Sequence, residues 1–144
     1  MTSPELENLV VLGKLNREPC PAQEFDGLVR SGEARLTDAS NVTLAMESRF
    51  DLAYNAAHAL ALAALRAKSY RSDSRYVVFQ ALPHTLGLPT ATWRVLIKCH
   101  ERRNLAEYEG VVDVEDQLLA DLLTAAHAVL HAVRASGSPG QHHG

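Results

Sequence analysis

The stretch from Thr43 to Ser69 constrains this chain more than any other. Met46, Phe50, Ala53, Ala57, Leu60 and Ala64 recur at helical spacing along it. Ala56, Ala59, Ala61 and Ala63 fill the turns between them. Alanine has the best helix propensity, and its small side chain lets a neighbouring helix approach closely. Leucines interleaved on the remaining sides leave little polar surface. The pattern predicts a long central helix that other helices enclose.

The rest of the chain reads as helices of ordinary length placed around that one. Ser3-Pro4 followed by Glu5 and Glu7 forms a helix start, with a cap, a proline in the first turn and acids at the positive end of the dipole. This first helix is predicted to run to about Asn16, before Pro19 and Pro21 break the chain. A second helix from Ala22 to Ala39 carries Phe25, Leu28, Val29 and Leu36, with Gly27 and Gly32 weakening it. Tyr70–Ser74 is a polar, basic connection. A short helix over Arg75–Leu86 is expected to bend at Pro83. Thr90 is placed as the cap of a helix over Ala91–Glu107, and Gly110 can take the positive φ that ends it. A last helix over Val114–Ala135 has Leu118, Leu122, Ala125, Val129 and Ala132 on one stripe, with Asp113, Glu115 and Asp116 at its start. No segment shows convincing strand alternation. The expected fold is all-α: one antiparallel bundle of five or six helices over residues 1–135, with a flexible tail over 136–144.

A chain of 144 residues can bury a core without metal or disulfide support. No stretch approaches the roughly 18 uninterrupted apolar residues of a membrane span. The N-terminus lacks the basic region of a signal peptide, and Cys20 and Cys99 make no disulfide framework. A cytoplasmic, non-membrane protein is expected. Its charge is segregated. Residues 66–103 carry eight basic and two acidic side chains, net +6, whereas both flanks are acidic. Such a zone points to an anionic partner, or to neutralisation by the acidic flanks within the fold.

The basic zone has a pattern. Arg94, Lys98 and Arg102 stand at i, i+4 and i+8 and make a ladder along one helix face, suited to phosphates or to an acidic protein surface. On the long helix, Asp51, Asn55 and His58 share a face and could wall a polar pocket around a nucleotide or form a structural hydrogen-bonded network. Tyr54, one turn before His58, reads as core or interface. His127 and His131 are spaced to share a metal, but no third ligand supports them, and His142 and His143 lie in the tail. No metal and no cofactor is expected. A P-loop, a nucleophile elbow and a CxxC motif are all missing from the sequence.

Three segments together resemble the HEPN superfamily, in particular its small bacterial stand-alone members. They are Glu47–His58 on the long helix, Arg103-Asn104-x-x-x-Tyr108, and Phe25–Gly32. The resemblance spans roughly residues 22–135. It implies an antiparallel helical bundle, usually a homodimer, and a role in toxin–antitoxin, abortive-infection or CRISPR-associated systems. Many members are metal-independent ribonucleases; others bind nucleotides or pair with a small nucleotidyltransferase. In the nuclease members an Arg, then a polar residue, then a His, with four to six residues between Arg and His, meet their symmetry mates, the Arg steadying phosphate and the His serving acid–base chemistry. Arg103 and Asn104 match the first two positions. Tyr108 stands where a His is needed, and an unperturbed tyrosine, with a pKa of about 10, is a poor base. A literal Arg–His spacing does occur at Arg94–His100, but Val95 replaces the polar residue, and a chain with eleven arginines offers such a pair by chance.

The favoured expectation is therefore a non-catalytic module that binds a nucleotide, RNA or a partner protein. The first alternative is an endoribonuclease using Arg103, Asn104 and Tyr108. The second is a purely structural dimeric interaction protein. The ligand-binding candidates are Arg94, Lys98, Arg102, Asp51, Asn55 and His58.

Overall fold

A computed structural model describes residues 3–110, 114–137 and 139. Among these residues the chain forms seven helices and one minimal sheet, an all-α helical bundle. Helix α1 (Pro4–Val11) opens as expected: Ser3 caps it by accepting from the Leu6 N–H. It ends earlier than the apolar spacing suggests. Gly13 takes φ +76°, turning the chain so that Leu15 is buried. Beyond that turn Asn16–Arg17 (β1) pairs antiparallel with Tyr70–Arg71 (β2), Asn16 opposite Arg71 and Arg17 opposite Tyr70. Two-residue strands leave no alternation to detect, so the sequence offered no sign of them.

Helix α2 (Ala22–Ala39) lies against α3 (Met46–Ala67), the central helix. Twelve of the 22 residues of α3 are buried, and it touches α2 on one side and α7 on another, which makes it the enclosed element the alanine pattern predicts. It starts three residues later than Thr43, because the Asn41 side chain accepts from both the backbone N–H and the hydroxyl of Thr43 and holds a local turn there. Gly32 is essential to the packing. A Cβ at that position would lie 2.6 Å from Leu60 Cγ and 3.3 Å from the Ala56 carbonyl oxygen. Gly27, by contrast, faces open space.

The basic connection after α3 leads to α4 (Arg75–Gln80) and α5 (Leu82–Thr85), one segment bent where Pro83 enters. Ser74 caps α4 by accepting from the Val77 N–H. Helix α6 (Thr90–Glu109) begins after Pro89, so Thr90 is its first residue and not its cap. Gly110, at φ +81°, ends it as expected. Helix α7 (Asp116–Ser136) packs on α2, α3 and α6. By length and hydropathy it is apolar enough to cross a membrane. Its stripe of Leu118, Leu122, Ala126, Val129 and Val133 is spent instead on the core. Of the tail predicted over 136–144, Ser136 still belongs to α7, Gly137 and Pro139 are described, and the rest lies outside the described residues, as does Asp113.

One buried cation ties the periphery to the centre. Arg66, in the last turn of α3, is 1% exposed. Its Nε donates to Glu24 Oε2 at 2.5 Å, and its terminal nitrogens donate to the carbonyls of Glu18, Pro19 and Tyr70. Arg71 bridges the same two acids, Glu18 and Glu24. Two of the eight basic residues of the zone, Arg66 and Arg71, are thus paired with acids of the N-terminal flank.

The two helical glycines of α2 should respond oppositely to alanine. Gly32→Ala is expected to lose about 1–3 kcal/mol by overpacking against Leu60. Gly27→Ala is expected to gain about 0.5–1 kcal/mol from helix propensity. Urea midpoints of the two variants check this; equal shifts would mean that α2 and α3 do not approach so closely.

Candidate functional site

The most concentrated chemistry lies where α3, α4 and α6 meet. On α3, Asp51, Tyr54, Asn55 and His58 follow one another at i, i+3, i+4 and i+7 and share a face. On α6, His100, Arg103 and Asn104 do the same at i, i+3 and i+4. Helix α4 contributes Arg75, Tyr76 and Phe79. Phe79 is fully buried and packs edge-on against Tyr54, His58 and His100, so it spaces the two histidines.

Tyr54 is the hub. Its ring is buried, stacked on His100, and its hydroxyl lies 2.7 Å from His100 Nδ1. The other ring nitrogen of His100 lies 3.1 Å from the Asn104 amide nitrogen. Two guanidinium groups lie near the Tyr54 ring: Arg103 at 5.0 Å and Arg75 at 5.5 Å from its centroid. Arg75 donates to Asn55 Oδ1, and Asn55 in turn donates to the Asp51 carbonyl. Arg103 pairs with Asp51 at 3.6 Å and with Glu107 at 3.1 Å.

Burial and two fixed cations set the proton states. Burial first, and then Arg75, His100 and Arg103, hold the His58 imidazole down to about 4. Burial and the two arginines also lower His100. Burial raises Tyr54, so its phenol stays protonated. At neutral pH the cluster therefore offers two neutral imidazoles beside two permanent positive charges. This arrangement can hold an oxyanion and can accept a proton nearby.

The sequence-derived candidates fall into separate groups. Asp51, Asn55, His58, Arg103 and Asn104 come together here. Tyr108 does not join them. It is 92% exposed, and five residues beyond Arg103 it points to a different side of α6. Arg94 and Lys98 stand exposed on the side of α6 turned away from Arg103. Burial pushes the Cys99 thiol up to about 12, opposed by Lys98 and Arg102 and aided by Asp121 of α7. The basic ladder and the α3 polar face are thus two surfaces and not one pocket. Among the described residues no group of three histidines, cysteines or acids is placed to hold a metal, and His127 and His131 lie exposed on α7.

Sequence reasoning missed Arg75 and undervalued His100 and Tyr54. His100 was set aside with Arg94 as a chance pairing, and the structure brings it to Arg103 and Asn104 instead. The available signal was the same-face spacing of His100, Arg103 and Asn104 on α6, matched by that of Tyr54 and His58 on α3. Arg75 carries no such signal, because only the turn over Tyr70–Ser74 brings it to the other two helices.

No family model, curated protein or solved structure matches this chain.

The lowered His58 makes stability depend on pH. The unfolded chain takes up a proton near 6.5, whereas the folded form resists it until about 4. The folded state therefore keeps its full contribution above pH 6.5 and loses it as pH falls toward 4. Replacing His58 with Leu should flatten this part of the curve, measured as urea midpoints between pH 7 and 4.5. A slope unchanged from wild type would show that His58 is not the group excluded from protonation.

Proposed function

We propose that this chain is a HEPN-like module that binds the phosphates of RNA or a nucleotide at the α3–α4–α6 cluster without cleaving them, as part of a bacterial defence or toxin–antitoxin system. The carrying observation is that two guanidinium groups, Arg75 and Arg103, both lie within 5.5 Å of the Tyr54 ring centroid, beside His100 and Asn104. A phosphate would have to displace Asp51 and Glu107 from Arg103. Both acids are mostly exposed, and such surface pairs contribute only about 0–1 kcal/mol, against about 1.5–3 kcal/mol for a hydrogen bond to a charged group. Exchange favours the phosphate. Both ring nitrogens of His100 are engaged, which supports binding over base catalysis.

A second reading keeps the same cluster but makes it a metal-independent ribonuclease. The neutral state of His100 next to two arginines favours it, since such an imidazole can take the proton of an RNA 2′-hydroxyl once Asn104 swings away.

A single-stranded RNA should bind wild type, and Arg103→Ala and Arg75→Ala should each weaken it about tenfold or more and lower the salt slope by about one. Arg94→Ala should have little effect. Intact RNA in the same samples supports the binding module. Cleavage lost in His100→Ala would favour the ribonuclease. A loss confined to Arg94→Ala would move the interface to the basic ladder and overturn the assignment to this cluster.

A homodimer is part of the proposal. Leu105 and Tyr108 are 50% and 92% exposed on the α6 end that carries Arg103, and a second copy would cover them. An acidic or nucleotidyltransferase-type partner protein is the competing occupant. Sedimentation should give a dimer mass that Leu105→Glu with Tyr108→Ser shifts to monomer. A monomer mass at all concentrations of wild type would refute it.

A further inference from the structure

A second concave surface lies far from this cluster in chemical character. The first turns of α2 and the last turn of α7 enclose a groove of about 500 Å³, a volume typical of small-molecule sites. Phe25, Val29 and Val133 form its apolar floor. Its polar groups are not spread evenly. Arg30 stands on the α2 wall and Arg134 on the α7 wall, and Asp26 sits one turn before Arg30. Arg134 pairs across with Glu33, one turn beyond Arg30. Arg30 has no hydrogen bond or ion pair among the described residues. It is the one cation of the groove left to a ligand.

We infer that this groove is a binding site for a small monocarboxylate with an aliphatic or aromatic body. The carboxylate meets the Arg30 guanidinium, which offers a planar fork of donors for two oxygens. The apolar body lies along Phe25, Val29 and Val133, where each buried methylene contributes about 0.8 kcal/mol. Asp26 sets the selectivity. A second carboxylate finds no free cation in the groove and meets the Asp26 charge one turn from Arg30, so dicarboxylates of the same length are rejected. Arg134, already paired with Glu33, shapes the wall and adds little net charge. An ammonium is repelled by Arg30 and has only Asp26, one turn away, to pair with. The site is independent of the α3–α4–α6 cluster, and no residue is shared between them.

The test uses octanoate, octanedioate and octylamine, three probes with one chain length and different ends. Titration into the full chain is followed by amide chemical shifts. Octanoate should shift the amides of Gln23, Val29 and Gly137, and octanedioate and octylamine should not. Arg30→Gln should weaken octanoate about tenfold or more, as expected for loss of a charge-assisted hydrogen bond. Asp26→Asn should admit octanedioate. Val29→Phe, which fills the floor without touching the charges, should weaken octanoate as well. Absence of any shift at millimolar octanoate, or binding that Arg30→Gln leaves unaltered, overturns the inference. Shifts at the same amides on concentrating the protein alone also overturn it, because the groove would then belong to a second copy.

Discussion

The close approach of α2 to α3 is the constraint on which the rest of the molecule depends. It exists because Gly32 offers no Cβ where Leu60 and the Ala56 carbonyl come near, and because α3 turns alanines outward on several sides. Small side chains at a helix contact let the axes approach, and close-packed interiors do not absorb an added methyl freely. With α2 seated this closely, α7 can reach both α2 and α3, and the three helices form the frame on which α4, α5 and α6 rest. The glycine that costs α2 helix propensity is therefore what its packing requires.

Arg66 holds the frame to its margins. A guanidinium withdrawn from water is costly unless its donors are all satisfied. Here Glu24 and the carbonyls of Glu18, Pro19 and Tyr70 satisfy them. Glu24 belongs to α2, and the three carbonyls belong to the proline-broken linker and to β2. The buried charge orders them. It also accounts for part of the charge segregation, since Arg66 and Arg71 meet acids of the N-terminal flank. Of the rest of the basic zone, Arg94 and Lys98 stand exposed on α6, and Arg75 and Arg103 gather around Tyr54.

That gathering joins three elements distant in sequence. Helical periodicity places His100, Arg103 and Asn104 on one side of α6, and Asp51, Tyr54, Asn55 and His58 on one side of α3. Nothing in either periodicity says that the two sides face each other. Phe79 on the short α4 settles it by packing against Tyr54, His58 and His100 together. The low proton affinity of both histidines then follows from enclosure and from the nearby arginines, which are properties of the assembled cluster and not of either helix.

The sequence by itself determined the all-α class, the long alanine-rich centre, the bend at Pro83 and the stop at Gly110, because each rests on local propensity or on spacing within one helix. It also marked Asp51, Asn55 and His58 as polar residues sharing one face of the long helix, and singled out Arg103-Asn104 as a motif near the end of a later one. Only the tertiary structure decided that Arg103 meets Asp51 and Tyr54 while Arg94 and Lys98 face away. It alone brought Arg75 into the cluster, made His100 a partner of Tyr54 and left Tyr108 outside. It also alone set Gly32 against Leu60 and paired Asn16–Arg17 with Tyr70–Arg71. These are contacts between residues far apart in the chain, and a single sequence carries the period of a helix but not the identity of the neighbour it will meet.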